Sequence, residues 1–482
     1  MEDKFRLWRE LQEYTQRSLV PLHMPGHKRR VSPAPDLPVD WDITELPGTD
    51  DLHDAQGILA SAMARTAALY GAKRTWYLVN GSTCGLLAGI RALAPNGTTV
   101  IAARNCHKSV FHAVELGSLK THWLLPEPVD SFGIWGSVTP ASVEAALKEC
   151  PAARCVILTS PTYEGVVSDI AAISALCHAH GVPLLVDEAH GAHLGLPFPG
   201  AFPPGALQCG ADLVIQSAHK TLPSLTQTAW LHLGGVLAEK DGIEREIERQ
   251  LDIFETSSPS YLLLASLDGC TGILRMEGGD LFAAWQERLD RFYQRAPLLS
   301  RLRVLGAGGH SGGIPPELFA FDRGKLLISG RGTCFSGPAL AETLRGRFGI
   351  ETEMSCGENL LAMTSPCDAD DALDCLSDAL AVLEGEAGSV EAKPPLSITL
   401  TGSARCTIAA ALAASSRPVL LPDAAGRTAA EYIWAYPPGV PLVVPGEEIT
   451  EALMHSLAAL SAAGTALHHS HAGNGAVQCL FD

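Results

Sequence analysis

Between residues 50 and 250 the chain repeats one pattern: a short, nearly continuous apolar run, then a segment with helical periodicity. WYLVN (76–80) reads as a strand and STCGLLAGIRALA (82–94) as a helix. The pairing recurs in TTVIAA (98–103) with NCHKSVFHAVELG (105–117), and in CVILTS (155–160) with IAAISALCHAHG (170–181). PLLVDEAH (183–190) and DLVIQSAHK (212–220) add two more buried strands. Strands so rich in Val, Ile and Leu need cover on both faces. The pattern therefore predicts an α/β fold with a mainly parallel sheet in a three-layer large domain. Ligands of such sheets bind beyond the carboxyl ends of the strands. The conspicuous polar clusters of this chain all follow directly on apolar strands.

The 482 residues allow about two to four domains. We divide them into an N-terminal segment (1–45), a large domain (46–300), a smaller α/β domain (301–390) and a C-terminal extension (391–482). The first holds a short amphipathic helix from Phe5 to Arg17 and a loop, PLHMPGHKRR. AAWQERLDRFYQRAPLLSRL (283–302) reads as a long amphipathic helix leaving the large domain, and GEAGSVEAKPP (385–395) as a linker. The tail HHSHAGNGAVQCL (468–480) reads as a disordered or surface segment.

Thirty-five basic against fifty-three acidic residues give −18, which disfavours nucleic acid as partner and suits a small cationic substrate. No apolar run approaches the ~18 residues of a membrane helix, and the first residues lack a signal peptide's apolar core. Thirteen cysteines, an odd number with no C-x-x-C pair, fit reduced thiols in a cytoplasmic protein and argue against structural zinc.

Four clusters carry chemistry. SAHKTLPSLTQ (217–227) puts Lys220 just past a buried strand, where desolvation frees a neutral amine to attack an aldehyde, with Ser217 and His219 nearby to bind an anion. VDEAHGAH (186–193) brings Asp187 out at the rim of the core, where a buried carboxylate needs a cationic or hydrogen-bonding partner. NGSTCG (80–85) opens a helix with small residues that let a phosphate approach backbone N–H groups, Ser82 and Thr83 adding hydroxyls. His107, in NCHKS (105–109), lies at the next strand end. DEAH also occurs as a helicase box, but there is no G-x-x-x-x-G-K-[ST] loop. Glu188, His190 and His193 form a weak metal pattern without a further ligand. A reactive lysine, a carboxylate for a ring nitrogen, a phosphate cradle and an imidazole are together what pyridoxal 5′-phosphate (PLP) requires.

These words, in this order, resemble the Orn/Lys/Arg decarboxylase family in its short form, which lacks an N-terminal wing domain. PLHMPGHK (21–28), DITELPGTDDLH (42–53), SPTYEG (160–165), TSSPSYLLLASLD (256–268) and YPPGVPLVVPGE (436–447) extend the resemblance over most of the chain. It implies a fold-type I PLP-dependent transferase fold. It implies α-decarboxylation of a basic amino acid, arginine first, lysine or ornithine otherwise, in polyamine metabolism. Lys220 would carry the cofactor covalently, Asp187 would pair with its ring nitrogen, and His107 would stack on the ring. Ser82, Thr83, Ser217 and His219 would hold the phosphate, with Ala189 completing the cofactor-binding set. Ser257 would reach the phosphate of a neighbouring subunit, making the enzyme a homodimer or higher homo-oligomer with shared sites. Glu45, Asp50, Asp51, Glu351 and Glu353 are candidates for the substrate's distal cation. An aminotransferase, a carbon–sulfur lyase or a non-catalytic PLP-binding protein remain the alternatives on this scaffold.

Overall fold

The computed structural model describes residues 4–16, 24, 25, 28, 32, 36–198, 200, 202–391, 403–435, 440–462, 466–471, 473 and 475–481. Most of PLHMPGHKRR, the end of the linker (392–395) and the first four residues of YPPGVPLVVPGE lie outside them.

Seven strands, β1 (Arg74–Leu78), β2 (Thr99–Ala103), β3 (Lys120–Leu124), β4 (Ala153–Thr159), β5 (Leu184–Asp187), β6 (Leu213–Gln216) and β7 (Ala229–Leu233), form a sheet of order β1-β7-β6-β5-β4-β2-β3. The pairs β2–β3, β2–β4 and β5–β6 are parallel, whereas β7 runs antiparallel to both β1 and β6. The sheet is mainly parallel, and apart from the edge strand β3, whose first three residues are exposed or half-buried, its strands are buried almost end to end, as their apolar runs require.

The chain divides into two compact units, one made of Met1–Ala92, Leu185–Gly200 and Pro204–Ala283, the other of Leu93–Leu184, Ala201–Pro203 and Ala284–Asp482. In the first, the helix Gly81–Leu93 packs against the sheet at Gly85, where a β-carbon would lie 2.5 Å from Leu78 Cδ1. A side chain there would force Leu78 and Ile215 to repack. The N-terminal helix spans Arg6–Thr15 and buries Leu7, Leu11 and Tyr14 along one stripe. Its Leu7 N–H donates to the buried Asp268 carboxylate at 3.0 Å.

The long helix corrects the sequence reading. It runs from Tyr261 to Arg295, starting well before residue 283 and ending short of 302. The helix contains Gly269, Gly272, Gly278 and Gly279, and Gly272 is there because the N-terminal segment presses on the helix. A β-carbon at Gly272 would lie 1.8 Å from the Lys4 carbonyl oxygen. The helix tolerates the lost propensity, roughly 1 kcal/mol per glycine, in exchange for that approach.

In the second unit, Arg303–Val304, Lys325–Ser329, Asn359–Met363 and Met354–Cys356 form an antiparallel sheet in that spatial order. The tail is a further correction. Leu467–His469 pairs with Ile433–Ala435, and Ala476–Leu480 pairs with Ser416–Leu420. Alternation decides it: Val477 and Cys479 are buried in a core with Ile433, Leu442 and Leu453. His469 sits 3.6 Å from the buried Glu431 carboxylate instead of hanging in solvent. All thirteen cysteines are free. No helix among the described residues is long and apolar enough to cross a membrane.

Candidate active site

The first unit gathers Lys220, Asp187, Ala189, Ser217, His219, Ser82, Thr83 and Ser257; His107 belongs to the second. Parallel pairing of β5 with β6 sets Asp187 opposite Ile215, so both strands end at the same rim. Past β6 the chain makes one helical turn, Ala218–Thr221, which carries Lys220 within reach of the segment that follows β5. There its Nζ lies 2.9 Å from His190 Nε2. The sequence reading weighed His190 only as a metal ligand and missed this pairing. Turn geometry after a strand brings the two together, and no local spacing announces it.

Asp187 is 3% exposed, and its Oδ1 accepts the Ala189 N–H at 3.1 Å. Burial raises its pKa above the ordinary carboxylate value, and the Lys220 charge and the Ala189 N–H oppose that rise. The neighbouring Glu188 is engaged on both oxygens, by the Ala206 N–H and the Gln216 amide, each at 2.8 Å. Burial still pushes it up to about 8. Behind it, His232 Nε2–H donates to Gln216 Oε1 at 3.1 Å and its Nδ1 accepts from the Thr75 hydroxyl at 2.8 Å. Burial holds that imidazole neutral, at about 3. Among the described residues no group of three His, Cys, Asp or Glu side chains is placed to hold a metal ion.

The anion-binding side is equally defined. Ser82 and Thr83 open the helix Gly81–Leu93 with their side chains partly or fully accessible. Ser217 Oγ is buried without a hydrogen-bond partner among the described residues. A phosphate oxygen would satisfy it, since a buried hydroxyl left unpaired is costly. His219 Nδ1–H donates to the Thr228 carbonyl at 2.8 Å, and burial lowers its pKa. The neutral ring therefore presents Nε2 as an acceptor, and contact with a phosphate requires its protonated form. Ser257 is exposed. These residues fit PLP: a lysine for its aldehyde, a buried carboxylate for its ring cation, and a buried unpaired hydroxyl together with a helix start of small residues for its phosphate.

In the second unit His107 caps the helix Lys108–Leu116: its Nδ1 accepts the Ser109 N–H at 3.3 Å and sits 2.8 Å from the Ser109 hydroxyl. That bonding places the ring proton on Nε2. Three residues earlier, Arg104 is fully buried and grips Glu447 through Nε at 3.2 Å and Nη2 at 3.0 Å. It also donates to the Pro441 and Leu442 carbonyls and lies over the Phe111 and Trp123 rings. The C-terminal region is thus fastened to the strand end that carries His107, a link the sequence reading did not reach.

Of the five acidic candidates, Asp50 accepts N–H groups of Gln56, Gly57 and Leu59 at 3.0, 2.8 and 2.9 Å. Burial raises its pKa, but those backbone donors outweigh it and the net shift is downward. Asp51 accepts the His53 N–H, Glu351 pairs with Arg345, and Glu353 accepts from the Tyr163 hydroxyl. Glu45 differs: Thr44 donates to one oxygen, while Oε1 is buried without a partner among the described residues.

Comparison with known proteins agrees with this architecture. The model of the Orn/Lys/Arg decarboxylase major domain matches residues 6–302, and that of the family's C-terminal domain matches 400–468. An arginine decarboxylase of Bacillus subtilis (strain 168) is 32% identical over 455 residues, 92% of this chain and 91% of its own. The lysine decarboxylase LdcF of Francisella novicida shares the fold at TM-score 0.80 and 17% identity, over 98% of this chain and 80% of its own. An enzyme named SPT, solved with PLP, shares it at TM-score 0.52 and 13% identity, over 67% of this chain and 75% of its own. The fold is that of the fold-type I PLP enzymes, and the chain belongs to the Orn/Lys/Arg decarboxylase family.

Proposed function

We propose that this protein is a PLP-dependent decarboxylase of a basic amino acid, with L-arginine as substrate and agmatine and CO2 as products. The observation that carries the reading is the convergence of Lys220, His190 and the buried Asp187 at the ends of β5 and β6. PLP supplies an electron-accepting ring that stabilises the charge left at Cα when CO2 departs.

The protein's own groups do the rest. Asp187 would hold the ring nitrogen in its cationic form, because a buried carboxylate gains most from a cation directly beside it. Ser82, Thr83, Ser217 and His219 would hold the phosphate, and Ala189, whose N–H binds Asp187, would complete the cofactor-binding set. His190 exchanges a proton with Lys220 Nζ across 2.9 Å, keeping the amine neutral when it must react. His107, with its proton on Nε2, would be the ring-facing imidazole that the family resemblance implies. An imidazole N–H that touches the substrate carboxylate only weakly favours its departure, since tight pairing would stabilise the ground state. Glu45 Oε1 is the acceptor for the distal cation. The arginine reading is favoured by the curated relative that carries that name at 32% identity over most of both chains. A homodimer in the cytoplasm, with Ser257 reaching the neighbouring subunit's phosphate, completes the proposal.

The test is incubation of the PLP-loaded protein with arginine, lysine or ornithine separately, trapping CO2 and identifying the amine. Agmatine from arginine alone is the expected outcome. Cadaverine or putrescine overturns the substrate, and a keto acid without CO2 overturns the reaction.

A further inference from the structure

The loop that opens the helix Gly81–Leu93 is held from outside by side chains that play no part in the chemistry above. Glu255, 7% exposed, accepts the Val79 N–H on Oε1 at 2.7 Å. The next residue, Thr256, donates its N–H to Asn80 Oδ1 at 3.2 Å. From the other side Gln227 Nε2 donates to the Val79 carbonyl at 2.6 Å. Gln227 does so from a backbone φ of 86°, in the left-handed region that residues with a β-carbon rarely adopt. His53 Nε2–H fastens the outer side of this strap, donating to the Thr256 carbonyl at 2.9 Å.

A buried carboxylate that accepts a backbone N–H is a strong and directional tether. It fixes Val79 and Asn80, and with them the direction in which the N–H groups of Ser82 and Thr83 point. We propose that Glu255 is a positioning residue for the cofactor's phosphate: it orients the 79–83 loop, so that the loop receives the phosphate without paying an ordering cost on binding. This inference rests on the PLP reading above and deepens it.

The experiment measures PLP and pyridoxal affinity, by absorbance titration of the cofactor-stripped full-length protein, for wild type, Glu255→Ala, Glu255→Asp and Glu255→Gln. Wild type binds PLP if the PLP reading holds; no binding sinks that reading and not the role of Glu255 alone. Glu255→Ala is expected to weaken PLP binding by about 10- to 100-fold. Pyridoxal, which lacks the phosphate, should bind as it does to wild type. Glu255→Gln keeps an acceptor oxygen at the same reach and should restore most of the PLP affinity. Glu255→Asp shortens the reach and should behave like alanine, which keeps the test intact if the alanine variant does not fold. Unchanged PLP affinity in the folded Asp or Ala variant overturns the proposal. Equal losses for PLP and pyridoxal also overturn it, because they would mark general damage to the site.

Discussion

Glu447→Ala is the most informative stability perturbation in this protein. Arg104 is 0% exposed and Glu447 2%, and their fork-like contact runs at 3.0 and 3.2 Å. Removing the carboxylate strands a guanidinium that water cannot reach. Breaking such a buried pair from one side costs about 3–5 kcal/mol. Arg104 keeps the Pro441 and Leu442 carbonyls and its place over Phe111 and Trp123, so we expect the lower end, about 3 kcal/mol. Glu447→Gln retains the shape and one acceptor and should cost less than alanine. Pulse proteolysis across a urea series reports the loss without assuming that the whole chain unfolds in one step. An alanine variant within about 1 kcal/mol of wild type would refute the reasoning, since it would mean that water or another acid reaches Arg104.

Lys220→Ala should abolish both the visible absorbance of bound PLP and turnover; undiminished turnover in that variant would overturn the proposed site. Glu188 predicts a pH dependence. Unfolded, it titrates near 4.5, and folded near 8, so between these values the native state holds a proton that the unfolded chain has lost. Its contribution to stability therefore falls as pH rises across that window, and Glu188→Gln should flatten the decline, by a few kcal/mol at pH 8. Denaturation midpoints of both proteins at pH 5 to 8 check this, and parallel curves would count against it. Gly272→Ala should displace the N-terminal helix and cost about 1–3 kcal/mol, because the atom it meets is backbone and cannot swing aside. Equal melting temperatures for the variant and wild type would contradict the close approach.

The parallel strands and the strand-end placement of Asp187, Lys220 and His107 were legible because apolar runs and their polar endings are local patterns. What was not legible is pairing across distance. His190 meets Lys220, Glu255 holds Val79, and Arg104 finds Glu447 only because separate strands and loops converge in space. The start of the helix at Tyr261 was not legible, and the reason for one of its glycines, Gly272, is another segment's backbone. The tail looked polar because its histidines drew attention away from the alternation of Val477 and Cys479. Among the acidic candidates, sequence could not separate Asp50, spent on backbone N–H groups, from Glu45, which retains an unpaired oxygen.

The position of β7 has a consequence for biosynthesis. Among the described residues the edge strand β1 pairs only with β7 in the sheet, Arg74 opposite Leu233 and Leu78 opposite Ala229. As the chain leaves the ribosome, TWYLV must wait through the synthesis of five other strands before its partner exists. An exposed strand of that composition invites pairing with other nascent chains. High contact order makes its correct closure slow as well. Yield in a recombinant host should therefore respond to lower temperature and added chaperone more strongly than the stability of the finished enzyme would suggest.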